Sequence, residues 1–123
     1  MRQGAIEELG AAGYKEGENL TINFQSAQGN MATAGQIAKQ FVADNPDAII
    51  AIATPSAQAV VSGTSDIPVI FSAVTEPVEA KLVPKLDGSG TNVTGASDVL
   101  PLEPQVDLII ELLPNVKNIG FVY

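Results

Sequence analysis

Apolar residues along this chain form short continuous runs that alternate with stretches of helical spacing. Two runs, Ala48–Ala53 and Pro68–Ala73, are apolar along all or nearly all of their length. Such runs are typical of parallel strands that are covered on both faces. We therefore predict that both are central strands of one open parallel sheet.

The period of the apolar residues assigns the remaining segments. Strict alternation over Leu20–Gln25 predicts a half-exposed edge strand, and Asn92–Ala96 and Asn118–Tyr123 fit two further strands. Helical spacing predicts helices over 2–13, 31–44, 56–62 and 101–113, with a turn or short helix over 78–86. Strands that alternate with helices indicate an α/β fold, a doubly wound parallel sheet with helices on both faces.

Local residues predict where the helices end and which faces are buried. Asn30 is expected to cap the second helix and Gly13 to end the first, while Tyr14 packs the first helix against the sheet. The faces predicted to point inward are Ile37, Ala38, Phe41 and Val42 in the second helix, Ala57, Val60 and Val61 in the third, and Val106, Ile109, Ile110 and Leu113 in the fourth.

Composition excludes several classes of function. The 123 residues include no Cys and no His, so neither a disulfide, a zinc site nor a Ser-His-Asp triad is expected. The net charge is −8 without a cluster of Lys or Arg, which argues against nucleic acid and anionic membranes as partners. No paired carboxylates and no glycine-rich phosphate loop are recognisable. We therefore predict a protein that is not an enzyme and holds no cofactor or metal.

The segment Thr54-Pro55-Ser56 is the first candidate for a binding site. It follows the strand Ala48–Ala53 directly and has the composition of a helix start, with Thr54 as the expected N-cap and Pro55 in the first turn. Free N–H groups at a helix start bind anions, and open α/β sheets bind ligands at the carboxyl ends of their strands. Thr54, Ser56 and Ala57 are therefore candidate ligand-binding residues. The alternative is a well-capped helix without a ligand.

A second group of polar residues follows the next strand. Ser72, Thr75 and Glu76 are expected at the same sheet edge as Ser56, because parallel strands end at one edge. They are candidates to bind a ligand ammonium or to close against a second lobe. The alternative is an ordinary loop, in which Glu76 starts a helix whose dipole favours the acid.

Five segments in order resemble a known family of transport proteins. They are Gly13–Leu20, Pro46–Ile50, Ala53–Ala57, Ile67–Val78 and Asn92–Gly95. Together they are similar to the substrate-binding proteins of ABC transporters that include tryptophan- and tyrosine-type amino-acid binders. The resemblance implies a type I periplasmic-binding fold, in which two doubly wound lobes close on a small ligand. It also implies a partner permease in the membrane and a periplasmic or membrane-anchored extracellular location. Glu76 departs from the pattern, where the family usually has Asp.

The resemblance also predicts that the sequence is a fragment. Residues 1–113 correspond to an N-terminal ligand-binding lobe that lacks its first strand, and residues 114–123 to the start of a second lobe. The absent strand is expected between Leu20–Gln25 and Ala48–Ala53. Asn118–Tyr123 is a candidate to fill that place, either in its own chain or in a strand-swapped dimer. No secretory signal is recognisable in this chain.

Two other functions fit an α/β domain of this size. One is a flavodoxin-like or receiver-like domain, but a receiver needs acids at its strand ends, where this chain has Thr54 and Ser72. The other is the ligand-sensing domain of a transcription regulator, which needs a DNA-binding headpiece that this chain does not contain.

Overall fold

The computed structural model describes residues 2–99 and 101–120, which fold into an α/β arrangement with a parallel sheet. The α/β class and the parallel sheet predicted from the sequence are confirmed. Within the described residues the helices are α1 (Arg2–Ala11), α2 (Met31–Asp44), α3 (Thr54–Val61) and α4 (Leu102–Leu112), and the strands are β1 (Ile49–Ile52), β2 (Val69–Val74) and β3 (Val93–Ser97).

The sheet has the order β1-β2-β3, and both pairs of strands are parallel. The prediction that β2 is central is confirmed, but the prediction that β1 is central is wrong for the described part of the chain. There, β1 lies at one edge of the sheet, and the side chain of Ile50 is 47% exposed. The predicted strand Leu20–Gln25 is not formed; an isolated bridge between Glu16 and Leu20 is its nearest equivalent. A strand needs a neighbour, and alternation alone does not supply one.

One face of the sheet carries the core. The side chains of Ile49, Ala51, Val69, Phe71 and Val93 are buried on this face, where they form one cluster with Ala57 and Val60 of α3 and Ala38 of α2. Ile50, Thr94 and Ala96 alternate with these residues and are exposed. Cover on both faces of β1 is therefore not seen in the described residues, although its apolar sequence predicted it.

The ends of α1 and α2 form as the sequence predicts. The Oδ1 atom of Asn30 accepts a hydrogen bond from the N–H of Thr33 at 3.0 Å, which caps α2. Gly13 has a φ of +95° and ends α1; its N–H donates to the carbonyl of Gly10 at 3.0 Å, and the N–H of Tyr14 donates to that of Leu9 at 2.9 Å. These two bonds are the pattern of a Schellman motif.

The predicted packing of the first and last helices is wrong. Tyr14 is 51% exposed, so it does not attach α1 to the sheet. Val106, Ile110 and Leu113, predicted to face inward, are about half exposed, at 48%, 52% and 59%. Neither helix contains a buried residue. A helical spacing of apolar residues reports a face that needs cover, but it does not identify what covers it.

The two remaining segments have different outcomes. Residues 77–81 form a turn, one of the two forms predicted over 78–86, and Leu82 and Val83 then enter the core. Residues 118–120 of the predicted last strand are not in a strand, and 121–123 lie outside the described residues. No described segment occupies the free side of β1, so the predicted strand substitution is not seen in residues 2–99 and 101–120.

Candidate functional site

The carboxyl ends of the three strands are joined by backbone hydrogen bonds that continue past the strands. The N–H of Ala53, just after β1, donates to the carbonyl of Ser72 at 2.9 Å. The N–H of Asp98, just after β3, donates to the carbonyl of Val74 at 3.1 Å. The loops that follow β1, β2 and β3 therefore start side by side at one edge of the sheet, where an open parallel sheet is expected to bind ligands.

Helix α3 begins at this edge with an unusual backbone conformation. The N-cap is Ala53, with φ 71° and ψ 154°, and the predicted N-cap Thr54 is instead the first helical residue. Pro55 lies in the first turn, as predicted. An alanine in this region of φ/ψ space costs roughly 1–3 kcal/mol. The strained residue connects strand and helix, and because alanine has no polar side-chain atom, no side-chain cap is formed.

The first turn of α3 has backbone N–H groups that precede the first intrahelical hydrogen bond. In that first bond, the N–H of Ala57 donates to the carbonyl of Ala53 at 3.1 Å. The N–H groups of Thr54 and Ser56 precede it and have no intrahelical acceptor. Both residues are half-buried. This arrangement has the geometry of an anion site at the positive end of a helix.

Strand β2 has a bulge near its end, where it pairs with β3. Ser72 pairs with Ala96 and Val74 with Ser97, so Ala73 is an extra residue in β2, with a φ of 55°. Such a bulge turns the following side chains to new directions. Beyond it, the hydroxyl of Thr75 donates to Oδ1 of Asp98 at 3.1 Å.

The structure brings most of the predicted site residues to this edge. Thr54 and Ser56 lie there after β1, Ser72 is half-buried near the end of β2, and Thr75 and Glu76 are exposed just beyond it. Ala57 is different, because its side chain is fully buried in the core and its N–H is used by the helix. We therefore assign Ala57 to the packing of α3 rather than to a direct contact.

Asp98 is a further polar residue at this edge, and the sequence pattern did not single it out. It follows Val93–Ser97 directly, so the rule that places ligands at strand ends applies to it as it does to Ser56. The signal in the sequence was an acid two residues after the predicted strand Asn92–Ala96. With Asp98 included, the edge has N–H donors at one side and carboxylates at the other.

The donors follow β1 and the acid follows β3, and β2 lies between these two strands. At about 4.8 Å per spacing, β1 and β3 are roughly 10 Å apart. A small zwitterion suits such an edge, since its anionic end can meet the helix start and its cationic end the acid.

No group of three or more potential metal ligands occurs among the described residues. No helix within 2–99 or 101–120 is long and apolar enough to cross a membrane.

Comparisons with known proteins agree with the family resemblance. The family described as "ABC transporter substrate binding protein" matches residues 1–123. A curated relative, the tyrosine-binding protein of Clostridioides difficile, is 48% identical over 122 residues, which are 99% of this chain and 35% of that protein.

Two solved structures are similar in both sequence and fold. A conserved domain protein from Vibrio cholerae is 58% identical with a TM-score of 0.93, and an ABC domain from Streptococcus pneumoniae in complex with L-Trp is 43% identical with a TM-score of 0.89. Each alignment covers 94% of this chain and 39% of the other. The chain therefore spans little more than a third of the length of the proteins that it matches.

Proposed function

Because this chain belongs to the ABC transporter substrate-binding protein family, we propose that it serves as the solute-binding component of an ABC importer. The ligand is a small amino acid-like molecule, and aromatic L-amino acids are the first candidates. Support for this choice comes from two relatives, one named a tyrosine-binding protein and the other solved in complex with L-Trp. The ligand is captured between two lobes and undergoes no chemical conversion.

The observation that carries the proposal is the start of α3 at the carboxyl edge of the sheet. The N–H groups of Thr54 and Ser56, together with their hydroxyls, bind the ligand carboxylate. No buried positive side chain is needed, because the helix dipole and the N–H groups stabilise the negative charge. Ala57 holds this turn in place through its buried side chain.

The loop after β2 forms the other side of the site. Ser72, Thr75 and Glu76 bind the ligand ammonium or contact the second lobe as it closes. Residues 1–113 belong to the N-terminal lobe and residues 114–123 to the start of the second. The partner is an ABC permease in the membrane, and the protein works in the periplasm or anchored to the outer face of the membrane.

The other functions considered for the sequence have less support. No observation favours a flavodoxin-like or receiver-like domain, because the chain matches a transport family over its whole length. The ligand-sensing domain of a regulator shares the two-lobed architecture, but the Clostridioides difficile relative is named for binding tyrosine and not for regulation.

The proposal is tested by calorimetry on the full-length protein with the set of L-amino acids. We expect at least one aromatic L-amino acid to bind, and Ser56→Pro to weaken its binding because proline removes the N–H donor. Loss of a charge-assisted hydrogen bond costs about 1.5–3 kcal/mol. Ser56→Ala is the matched control, since it removes the hydroxyl but retains the N–H.

The results separate the protein's function from the role of this turn. A wild-type protein that binds no amino acid would contradict the proposed function. A folded Ser56→Pro variant with wild-type affinity would instead contradict the role of the helix start. An equal loss in Ser56→Ala and Ser56→Pro, which both lack the hydroxyl, would move the contact from the N–H to the hydroxyl.

A further inference from the structure

We propose that Asp87 is a site of spontaneous covalent modification, at which the backbone nitrogen of Gly88 closes a succinimide ring and converts the aspartate to isoaspartate. The sequence contains six Asp residues, and Asp87 is the one that precedes a glycine. No Asn precedes a glycine anywhere in the sequence. This modification is separate from ligand binding and does not depend on it.

Both reacting groups at this position are free of other contacts. Asp87 and Gly88 are exposed and lie in a segment without helix or strand, between the core residue Val83 and strand β3. The carboxylate of Asp87 and the N–H of Gly88 form no hydrogen bond with another residue in 2–99 or 101–120. Ring closure at this position therefore breaks no hydrogen bond within that part of the chain.

Gly88 also leaves room around the attacking nitrogen. It has no Cβ atom, and nothing lies within 4 Å of the place that a Cβ atom would occupy. Its φ is +64°, a conformation that glycine adopts readily and other residues rarely do. The backbone at Gly88 can therefore rotate its nitrogen toward Cγ of Asp87 at little steric cost.

The reaction needs no reagent other than water. The backbone nitrogen of Gly88 attacks Cγ of Asp87, the N–Cγ bond forms, and the carboxyl oxygen leaves as water with the amide proton. Water then adds to one of the two ring carbonyls and opens the succinimide. Cleavage of the bond to Cγ restores aspartate, whereas cleavage of the bond to the backbone carbonyl carbon routes the main chain through Cβ and Cγ and gives isoaspartate.

Three of the other aspartates are held in structures that oppose the reaction. Asp44 and Asp107 lie in α2 and α4, where regular helical geometry and hydrogen bonding fix the backbone. The residue after Asp66 is Ile67, whose N–H donates to Oγ1 of Thr64 at 3.2 Å. Ile67 is also β-branched, so its side chain crowds the nitrogen.

The remaining two aspartates are followed by residues that have a side chain. Asp47 precedes Ala48, and Asp98 precedes the β-branched Val99. The Oδ1 atom of Asp98 in addition accepts the hydroxyl of Thr75 at 3.1 Å, which orients its carboxylate. Asp87 is thus the aspartate at which an exposed carboxylate, a free N–H and a following glycine coincide.

The test is storage of the full-length protein in neutral buffer at physiological temperature, followed by enzymatic methylation of isoaspartyl carboxylates and peptide mapping. Mass alone does not reveal the product, because aspartate and isoaspartate are isomers. The matched variants are Gly88→Ala and Gly90→Ala, since each adds a methyl group to a loop glycine with positive φ and open space around it. We expect the wild type and Gly90→Ala to form isoaspartate at position 87 at similar rates. Gly88→Ala should form it more slowly by about fivefold or more, which corresponds to a barrier higher by about 1 kcal/mol.

The outcomes separate attack by the Gly88 nitrogen from a general property of the loop. The proposal is overturned if isoaspartate does not form at position 87, or if it forms as fast at another of the six aspartates. Equal rates in Gly88→Ala and the wild type would also overturn it, as would equal slowing in the two alanine variants. If Gly88→Ala does not fold, Asp87→Glu replaces it, because glutamate would have to close a larger, six-membered ring. Loss of methylation in the peptide that contains position 87 then supports the proposal, and unchanged methylation overturns it.

Discussion

Gly95 is the position where one added methyl group should disturb the sheet most directly. It lies in β3 opposite Phe71 of the central strand β2. A Cβ atom built on Gly95 would lie 2.5 Å from Cγ of Phe71, and closer still to the carbonyl oxygen of the same residue. The ring of Phe71 is 4% exposed in the core, and its carbonyl belongs to the backbone of β2, so neither can move freely.

The cost of Gly95→Ala follows from this crowding. Forcing an extra methyl group into a packed region costs about 1–3 kcal/mol. The upper half of that range applies to Gly95, because the nearest atom belongs to the backbone rather than to a flexible side-chain end. A loss of about 2–3 kcal/mol lowers the melting temperature by roughly 4–12 °C, at about 2–4 °C per kcal/mol for domains of 150–250 residues.

The assay is calorimetric unfolding of the full-length protein, with Gly35→Ala as the matched control. Gly35 lies within α2, has nothing within 4 Å of a built Cβ atom, and has no unusual φ. The same substitution there should raise stability by about 0.5–1 kcal/mol, because alanine is the better helix former. The two variants should therefore shift the melting temperature in opposite directions.

A Gly95→Ala variant that melts at or above the wild-type temperature would refute the reasoning. It would mean that β2 and β3 can separate at this point without loss, and that the approach of Phe71 to Gly95 does not constrain the sheet. A fall in both variants would also count against it, since the effect would then not depend on the local space.

Three further predictions follow from the described geometry. Asn30→Ala should lower the free energy of unfolding by about 1 kcal/mol in thermal unfolding, because it removes the side-chain oxygen that accepts the N–H of Thr33. Asn30→Asp should leave the stability nearly unchanged, and equal losses in the two variants would contradict the capping role. Ala53→Gly should stabilise the protein by about 1 kcal/mol by relieving the φ of 71°, and a lower melting temperature would contradict this. The isolated chain 1–123 should bind L-tyrosine and L-tryptophan weakly or not at all in calorimetry, because ligand sites bury about 70–90% of the ligand surface; tight binding would contradict the two-lobed site.

Local sequence determined the elements whose signals are local. The bounds of α2 were predicted at both ends, because Asn30 caps it and Asn45 ends it with its own left-handed backbone. The continuous apolar run of β2 correctly predicted a central strand. The order of strands and helices likewise predicted that Thr54, Ser56 and Thr75 lie at one sheet edge, because parallel strands all end on the same side.

Tertiary structure alone decided the features that depend on residues far apart in the chain. The apolar run of β1 could not show that the strand lies at a sheet edge in the described residues, and helical spacing in α4 could not show that its apolar face is exposed. The contact between Thr75 and Asp98 depends on a bulge that appears only when β2 pairs with β3. The physical reason is the same in each case: periodicity records which face of a segment avoids water, whereas register, pairing and cover are properties of two segments at once.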